Sequence, residues 1–340
     1  MKTVGIIGVT GNAGAELARL LLKHPELRLS EVSGRSEAGK KLADVFPYLH
    51  QYDLTIQPEI GEADLFFSAL PHKSSAEMCG PLVKRGKKVV DLSADFRLSD
   101  RAAYEETYQV THPHPELLET AVYGLPELRR AEIEATPLVG NPGCYPTAAI
   151  LALAPAIGTG VASPRIIIDA KSGVSGAGRT PTAMTNYIEI NENTHAYSLD
   201  GHRHEPEIAQ ELNRLRPRAI KPIQTTFIPH LVPMTRGILA NCYTAAIQAI
   251  TKGQLLEMYQ EFYRDKPFVQ IVDRPPETKW TYGNNMVYVM PHFHERSGNL
   301  VLMAVEDNLG KGAAGQAIQN ANLMCGFPEE LGLDIGAVYP

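Results

Sequence analysis

The first hundred residues alternate between short apolar runs and segments whose apolar side chains recur at helical spacing. Four short runs predict strands at 3–9, 29–33, 64–69 and 88–92, of which the first is apolar and rich in β-branched residues. Helices are predicted at 15–23 and 74–85, where apolar residues return every three or four positions. Because strand and helix alternate, this part is predicted to be an α/β domain with a doubly wound, mostly parallel sheet.

Beyond residue 143 the pattern changes to longer strands with fewer helices between them. Strands are predicted at 165–170, 223–228, 238–250 and 300–306, and helices at 148–156 and 253–263. This order is typical of an α+β domain built on a mixed sheet. A last apolar-faced helix at 313–324 is expected to pack on the first domain. The segment 101–118, rich in His, Pro and Tyr, is expected to be a surface loop.

Length, charge and cysteine usage limit the number of domains, the kinds of partner and the cellular compartment that we expect. At 340 residues the chain is long enough for two domains, predicted as 1–143 with about 311–340, and as 144–310. The net charge of -6 argues against a nucleic-acid binder, which would need a basic face. No run reaches the roughly 18 apolar residues of a membrane-spanning helix. Four scattered cysteines without a CxxC pair fit reduced thiols, so we expect a cytoplasmic protein without membrane partners.

A glycine-rich turn joins the first predicted strand to the first predicted helix. Gly8 permits the tight turn, Gly11 lets the backbone approach a pyrophosphate, and Gly14 lets helix and strand pack closely. The helix N-terminus then faces the phosphate charge. A glycine turn without a ligand is the alternative, but the position at a strand–helix junction favours a dinucleotide site.

The end of the second predicted strand distinguishes the two nicotinamide cofactors. An NAD site usually carries Asp or Glu there to bind the ribose hydroxyls. This chain has Ser33, Arg35 and Ser36 instead, and Arg35 can bind a 2′-phosphate that a carboxylate would repel. Glu37 comes one or two positions late, which leaves NAD as the alternative. NADP(H) is the predicted cofactor.

Cys144 differs from the other cysteines in its neighbours. It follows Asn-Pro-Gly and precedes a run of small apolar residues that predicts a helix. We expect the sulfur at or near the helix N-terminus, where the dipole and the free N–H groups stabilise a thiolate and a developing oxyanion. A buried structural cysteine is the alternative, and it suits Cys79, Cys242 and Cys325.

A cysteine nucleophile beside a nicotinamide restricts the chemistry. Thiolate attack on an acyl phosphate expels phosphate and leaves a thioester. Hydride then reduces the thioester to a hemithioacetal, which collapses to an aldehyde. The sequence therefore predicts an acyl-phosphate reductase, an aldehyde-forming oxidoreductase that needs an acid–base group near the sulfur and cations for its substrate.

His202 and His204 flank an arginine just before a helix that begins with proline. One imidazole at this position can pair with the Cys144 thiolate and move the proton, and the sequence leaves open which one does so. Ordinary hydrogen-bonding histidines are the alternative. A metal site that includes His292 and His294 is a further alternative, but no HExxH or CxxC accompanies them, and no metal is predicted.

Six segments together resemble a known family. They are 8–17, 91–98, 141–147, 173–179, 201–208 and 229–237. In order and spacing they are similar to the type 1 N-acetyl-γ-glutamyl-phosphate reductase family of arginine biosynthesis, in the semialdehyde dehydrogenase superfamily. The cysteine and histidine motifs are specific, whereas the glycine motif also fits aspartate-semialdehyde dehydrogenases. Asn12 departs from the pattern, because many relatives carry Tyr there. This difference leaves the implied function unchanged and makes the match slightly weaker at the cofactor loop.

The resemblance implies NADPH-dependent reduction of N-acetyl-glutamyl 5-phosphate to the 5-semialdehyde, with release of phosphate, by a homodimer or homotetramer. It implies an NADP-binding Rossmann domain, a catalytic and dimerising domain, and Cys144 as the acyl-accepting thiol beside His204 or His202. The cofactor-binding residues are predicted to be Gly8, Thr10, Gly11, Asn12, Ala13, Gly14, Ser33, Arg35, Ser36, Leu70, Pro71, His72, Ser175, Gly176 and Ala177. The substrate-binding residues are predicted to be Arg97, for the phosphate, with Asn141, Lys171, Arg179 and Arg236. The last three are as readily structural ion-pair partners.

Other functions remain open at the level of sequence. A close alternative is the reductase of a related acyl phosphate, either aspartyl phosphate or a carrier-bound aminoadipyl or glutamyl phosphate. A non-catalytic NADP-binding regulator is expected to have lost the nucleophile or its base, and both are present. A metal-dependent hydrolase would respond to chelators.

Overall fold

The computed structural model describes residues 1–339, and these residues divide into two units. The first comprises Met1–Gly143 and Ala313–Ile335, and the second comprises Cys144–Gly312 and residues 336–339. Each unit is built on its own seven-stranded sheet. The chain therefore completes the first sheet before the second begins, and returns to the first unit near its end.

The first unit contains the predicted parallel sheet. Its strands are β1 (Lys2–Ile7), β2 (Leu27–Ser33), β3 (Ile56–Gln57), β4 (Leu65–Ser68), β5 (Lys88–Asp91), β6 (Val122–Tyr123) and β7 (Leu138–Gly140). They lie in the order β3-β2-β1-β4-β5-β7-β6, and every neighbouring pair is parallel. The doubly wound sheet predicted from alternating strands and helices is confirmed.

The helices of the first unit connect these strands. They are α1 (Asn12–Leu21), α2 (Leu42–Val45), α3 (Ser75–Lys84), α4 (Arg101–Tyr108), α5 (Pro115–Leu118) and α6 (Pro126–Ala135). In α1, leucine and alanine side chains at helical spacing are buried, as the pattern predicts.

The expectation of a surface loop at 101–118 is wrong. The helices α4 and α5 lie there, and Asp100 caps α4 by accepting a hydrogen bond from the Ala102 N–H at 2.8 Å. Tyr104 and Tyr108, four residues apart, are buried on one face of α4 with ring centroids 5.0 Å apart. His112 is buried against Tyr104 as well. Aromatic packing, which a count of polar and turn residues does not register, makes this segment part of the core.

The second unit contains the predicted mixed sheet. Its strands are β8 (Arg165–Ser172), β9 (His195–Ala196), β10 (Gln224–Leu231), β11 (Ile238–Ala245), β12 (Val269–Ile271), β13 (Val287–His294) and β14 (Asn299–Glu306). They lie in the order β12-β13-β14-β11-β8-β10-β9. The pairs β8–β10 and β12–β13 are parallel and the others antiparallel. The strand predicted at 238–250 ends at Ala245, and β13 was not predicted.

Helices cover one face of the second sheet. They are α7 (Cys144–Gly158), α8 (Tyr187–Ile190), α9 (Glu205–Leu215) and α10 (Lys252–Phe262), of which α7, α9 and α10 pack on the strands. Every residue of α7 from Tyr145 to Ile157 is buried. Pro155 lacks the N–H that would bond the Leu151 carbonyl, and the Tyr263 hydroxyl donates to that carbonyl at 2.6 Å instead.

The opposite face of the second sheet is exposed. Along β8, Ile166, Ile168 and Ala170 are buried toward the helices, whereas Ile167 between them is 49% exposed. This alternation is expected for a strand that has helices on one side only.

The last helix, α11 (Gly315–Cys325), follows a π-helical turn at Gly310–Ala314 and belongs to the first unit. It packs against α6, β5 and α1. Its polar side chains are buried too: Gln316 and Asn320 both donate to the Gly124 carbonyl, at 2.9 and 2.8 Å. Among residues 1–339, no helix combines the length and the apolar composition that crossing a bilayer requires.

Candidate active site

The glycine turn between β1 and α1 has the geometry that its motif predicts. Gly8 has φ +82°, and a Cβ on it would lie 2.9 Å from the Ala69 carbonyl oxygen. A Cβ on Gly14 would lie 2.5 Å from the Gly8 oxygen and 2.7 Å from the Val9 Cα. Gly11 has no such neighbour within 3.8 Å, and no side chain caps α1 there. Glycine is therefore required sterically at 8 and 14, while position 11 leaves the helix N-terminus open.

Two other predicted cofactor segments adjoin this turn. The Ser33 carbonyl, at the end of β2, accepts hydrogen bonds from the N–H groups of Gly8 and Val9 at 3.0 and 2.9 Å. Leu70, after β4, lies 3.2 Å from the position of a Gly8 Cβ. The structure thus brings the ends of three neighbouring parallel strands together, where ligands bind in open α/β sheets.

The residues after β2 differ in exposure and pairing. Arg35 and Ser36 are exposed, and the Glu37 carboxylate forms an ion pair with Lys40 at 2.7 Å. Arg35 is therefore accessible to a phosphate, while the nearest acidic side chain has a cationic partner on its own turn.

Arg97, predicted to bind the substrate phosphate, is buried in the loop after β5. Its Nε donates to the Asn141 carbonyl at 2.7 Å, and one terminal nitrogen donates to the Leu92 carbonyl at 2.8 Å. The Asn141 side chain accepts from the Asn320 amide at 3.0 Å. The structure therefore brings the two predicted substrate residues together, with Arg97 bracing the turn that precedes Cys144.

Cys144 is the first residue of α7, with its side chain half-buried and not engaged in a disulfide. A Cβ on Gly312 would lie 2.8 Å from the Cys144 Cβ and 2.8 Å from Glu306 Oε1. Both Glu306 and Lys311 are fully buried. Sequence analysis missed this segment as part of the site. The sequence feature that could have indicated it is the pair Gly310 and Gly312, within a charged run directly after a strand.

The two histidines lie at the N-terminus of α9. His204 precedes the helix and is buried, and its backbone N–H donates to His202 Nδ1 at 3.2 Å. The two rings are 4.7 Å apart between centroids, and each lies 6.1 Å from the Tyr145 ring. The helix that begins with Cys144 and the histidine turn are thus joined through the residue that follows Cys144.

The protonation state of His202 follows from its surroundings. Burial, and after it the positive charge of Arg203, lower the pKa of His202 to about 4. Since Nδ1 accepts a hydrogen bond from the His204 N–H, the proton of the neutral ring lies on Nε2. At neutral pH, His202 is therefore an uncharged hydrogen-bond donor.

Two tyrosines that sequence analysis did not assign complete this cluster. The Tyr145 hydroxyl donates to the His230 carbonyl at 3.0 Å, and the Tyr197 hydroxyl donates to the Tyr145 oxygen at 3.3 Å. The Tyr197 ring lies 5.7 Å from His202. Burial raises the pKa of both phenols, and nearby Cys144 adds to the rise. Tyr197 is fifty-two residues from Tyr145 in sequence, so only the fold unites them.

Arg236 and the 174–177 loop are joined by the residues that follow β14. Arg236 Nε lies 3.0 Å from an oxygen of Asp307, a fully buried carboxylate. The amide of Asn308 donates to the Ser175 hydroxyl at 2.9 Å, and the Ser175 N–H donates to the Thr235 carbonyl at 3.1 Å. The predicted cofactor loop and the predicted substrate cation therefore form one connected structure.

The other two predicted substrate cations are placed differently. Lys171 forms an ion pair with Asp169 at 2.6 Å on the exposed face of β8, while its neighbour Ser172 is buried toward α7. Arg179 is exposed in the segment after the 174–177 loop. The structure does not bring Lys171 together with Cys144, because alternation along the strand directs it to the other face.

The second His-x-His pair lies on β13. The His292 and His294 rings are 6.3 Å apart, and His294 Nδ1 lies 2.9 Å from the Ser297 hydroxyl. In the described part of the chain, no three His, Cys, Asp or Glu residues are arranged to hold a metal ion.

Solved structures share the fold of this chain. Aspartate semialdehyde dehydrogenase II of Vibrio cholerae matches with a TM-score of 0.71 and 18% identity, over 96% of this chain and 98% of that one. Aspartate semialdehyde dehydrogenase with NADP from Candida albicans matches with a TM-score of 0.68 and 18% identity, over the same shares of the two chains.

Family models and curated relatives match nearly the whole chain. Residues 3–136 match the semialdehyde dehydrogenase NAD binding domain, and residues 144–308 match the semialdehyde dehydrogenase dimerisation domain. The N-acetyl-gamma-glutamyl-phosphate reductase of Dehalococcoides mccartyi is 52% identical over 99% of this chain and 98% of its own length. That of Heliobacterium modesticaldum is 45% identical over the full length of both. The predicted resemblance is confirmed, and the chain belongs to the N-acetyl-gamma-glutamyl-phosphate reductase family of semialdehyde dehydrogenases.

Proposed function

We propose that this chain catalyses the NADPH-dependent reduction of N-acetyl-glutamyl 5-phosphate to N-acetyl-glutamate 5-semialdehyde, with release of phosphate, in arginine biosynthesis. The observation that carries the proposal is Cys144 on the first turn of a buried helix, with the His202–His204 turn packed on the adjacent Tyr145. The acyl group is taken from the name of the curated relatives.

The glycine turn fits a dinucleotide. Side chains at 8 and 14 are excluded by backbone atoms within 3 Å, and the uncapped N-terminus of α1 lies beside Gly11. The accessible Arg35 supports NADP over NAD, because it can meet a 2′-phosphate while Glu37 pairs with Lys40. Bound NADPH supplies the hydride that reduces the thioester. Ser33, Leu70, Pro71 and His72 would line the same crevice.

Cys144 acts first. Its thiolate, stabilised by the N-terminus of α7, attacks the acyl carbon, the bond from carbon to the phosphate oxygen breaks, and phosphate leaves. Arg97, held beside Asn141, and Arg236, held by Asp307, are the cations that we assign to the anionic groups of the substrate.

We assign His204 as the acid–base residue and His202 as a fixed donor. Since the pKa of His202 is lowered to about 4 and its Nδ1 is occupied, its Nε2–H is suited to donate to a substrate oxygen. His204 then gives a proton to the oxygen of the reduced thioester and takes it back as the carbon–sulfur bond breaks. The aldehyde leaves, and the thiolate of Cys144 is restored.

We further propose that the first unit is the NADP-binding domain and that the second, residues 144–310, is catalytic and forms a cytoplasmic homo-oligomer through its exposed sheet face. An exposed apolar side chain supports an interface there, since Ile167 is 49% exposed on that face. The same unit also exposes Tyr187 and Ile188 in the segment 176–201, within which Ile190 alone is buried.

The oligomer proposal predicts that Ile167→Asp dissociates the protein, because a charge buried at an interface is costly. Sedimentation velocity measures the change, with Lys221→Gln, which also makes the charge more negative by one unit, as the control at an exposed position before β10. A variant that sediments like the wild type would exclude this face as the interface.

The reaction is tested in reverse with the purified protein, N-acetylglutamate semialdehyde, phosphate or arsenate, and NADP. We expect reduction of NADP by the wild type, and a loss of at least about 10⁴-fold in Cys144→Ser, because the hydroxyl is a far weaker nucleophile than a thiolate. Cys325→Ala is the matched control and should retain activity. Activity with aspartate semialdehyde alone would reassign the substrate, and an active Cys144→Ser would refute the thioester mechanism.

A further inference from the structure

A fully buried carboxylate, Asp95, lies in the loop after β5 and has no part in the proposed chemistry. Its Oδ1 accepts hydrogen bonds from the Lys73 N–H at 2.9 Å and from the Tyr104 hydroxyl at 2.8 Å. Its Oδ2 accepts from the Ala76 N–H at 2.9 Å. Burying a carboxylate is costly unless hydrogen bonds compensate, and here two of the donors are the backbone N–H groups of Lys73 and Ala76, which are distant from Asp95 in the sequence.

The Lys73 donor belongs to a segment, residues 70–74, that adjoins the glycine turn, and Ala76 lies in the first turn of the helix α3 that follows it. The segment follows β4, and the Ala69 oxygen and Leu70 Cδ2 lie 2.9 and 3.2 Å from the position of a Gly8 Cβ. The start of segment 70–74 therefore lies against the glycine turn of the proposed dinucleotide site. Any shift in it changes the space in which the cofactor would lie.

The segment is held in a conformation that its own sequence disfavours. Lys73 has φ +75°, in the left-handed region that non-glycine residues rarely adopt, and its side chain is exposed. Packing of that side chain therefore does not explain the conformation. Such a residue persists where its surroundings determine it strongly, and the bond from its N–H to Asp95 supplies that restraint.

The backbone of Asp95 is itself held by hydrogen bonds at both its N–H and its carbonyl. Its N–H donates to the Ser93 hydroxyl at 3.0 Å, and that hydroxyl donates to Asp91 at 2.6 Å. Its carbonyl lies 2.9 Å from His112 Nε2, and His112 Nδ1 accepts from the His114 N–H at 3.1 Å, which leaves Nε2 as the donor. The carboxylate therefore presents a rigid acceptor to the segment.

We propose that Asp95 is a positioning residue that holds segment 70–74 in the conformation that binds NADPH. The inference rests on the proposed function, because it takes the crevice beside the glycine turn as the cofactor site. It adds a residue that never touches the cofactor and acts on it only through the backbone of Lys73 and Ala76.

Asp95→Asn tests the proposal with little change in volume. One of its two oxygens becomes an amide that cannot accept, so one backbone N–H loses its partner. We expect the Kd for NADPH, measured by fluorescence titration, to rise about tenfold or more, which corresponds to about 1.4 kcal/mol. KM for NADPH should rise in parallel, with kcat at saturating NADPH within about threefold of wild type. In the cofactor-free protein, hydrogen exchange of the amides in 70–76 should be faster in Asp95→Asn than in the wild type.

Tyr104→Phe is the matched control. It removes the third donor to the same carboxylate and leaves both backbone bonds in place. We expect thermal stability to fall while the Kd for NADPH stays within about twofold. A Tyr104→Phe variant that weakens NADPH as much as Asp95→Asn would overturn the proposal, as would an Asp95→Asn variant with lowered Tm but unchanged Kd and exchange.

A milder variant keeps the proposal testable if Asp95→Asn does not fold. Ser93→Ala removes the hydroxyl that holds the Asp95 N–H and keeps the carboxylate. It should raise the Kd for NADPH by a smaller factor than Asp95→Asn does. An unchanged Kd with unchanged hydrogen exchange in 70–76 would count against the proposal. If the wild type binds no NADPH, the proposed function fails, whereas exchange in the variants still tests whether Asp95 holds the segment.

Discussion

The glycine turn and the cysteine–histidine cluster are built in different ways. In the glycine turn, residues within one stretch of seven positions form the structure, and their role depends on lacking a side chain. The cluster around Cys144 instead joins α7, the turn before α9, Tyr197 and the segment after β14. Backbone sterics within one motif therefore determine most of the first region, with the neighbouring strand end at Ala69 adding to the constraint on Gly8, whereas the second region joins side chains from several distant segments.

The largest expected effect separates the two histidines within the cluster. His204→Asn should lower kcat by about 10²- to 10⁴-fold and remove a limb of the pH–rate profile, because it deletes the proton-transfer group. His202→Asn should lower kcat less and keep that limb, since the amide can still donate a hydrogen bond. Steady-state rates from pH 5 to 9 measure both.

The opposite ranking, with the pH limb lost in His202→Asn and kept in His204→Asn, would exchange the two roles. Arg203→Gln is a useful companion variant. The charge of Arg203 helps to lower the pKa of His202, so its removal should move that pKa upward without deleting either imidazole.

The next effect compares two glycines of the turn. Gly14→Ala places a Cβ 2.5 Å from the Gly8 oxygen, so it should lower Tm and raise the Kd for NADPH together. Gly11→Ala meets only the Gly8 oxygen at 3.8 Å, so it should keep Tm and weaken NADPH by about tenfold, because the methyl group occupies the approach to the pyrophosphate. Thermal denaturation with and without NADPH separates the outcomes. Equal effects of both variants on Tm would contradict this division.

The last expected effect is on stability rather than on cofactor binding or catalysis, and it concerns Asp91, which shares its network with Asp95. Burial, and after it the charge of Asp95, raise the pKa of Asp91 from 3.8 to about 6. The folded state therefore binds more protons than the unfolded state between about pH 4 and 6, and stability from this group falls as pH rises through that window. The full loss is about 3 kcal/mol. Asp91→Asn should remove this part of the pH dependence.

Urea denaturation of wild type and Asp91→Asn at several values from pH 4.5 to 7.5 measures the difference. Carboxyl groups outside this network contribute equally to both proteins, so the comparison isolates Asp91 together with its coupling to Asp95. A difference in unfolding free energy that does not change with pH would show that the Asp91 pKa is not raised in the folded state.

Much of the fold was predictable from local pattern. The period of apolar residues located strands of both sheets and five of the eleven α-helices of the described residues, because that period determines which side chains share a face. Two of the failures have identifiable causes. The core role of Tyr104 and His112 comes from aromatic packing, and β13 escaped notice because its apolar residues are interrupted by Pro291 and two histidines.

The candidate site was predictable where one short motif carries the chemistry. Cys144 at the start of a helix is such a case, since the residues before and after it define the helix N-terminus. Tyr197 was not predictable, because nothing in its own segment indicates that it lies near Cys144, whereas the glycines at 310 and 312 were the one sequence feature that pointed to the segment of Glu306. Lys171 illustrates the reverse: its motif suggested a substrate contact, while strand alternation directs it to the opposite face.

The sequence by itself determined the parallel sheet, the glycine turn and the chemical type of the reacting thiol, because sterics and helix polarity act over a few neighbouring residues. Only the tertiary structure decided which tautomer His202 adopts and which residues surround Cys144. It also decided that Asp95 holds Lys73. These depend on hydrogen bonds between segments far apart in the chain, whose distances are settled when the core packs.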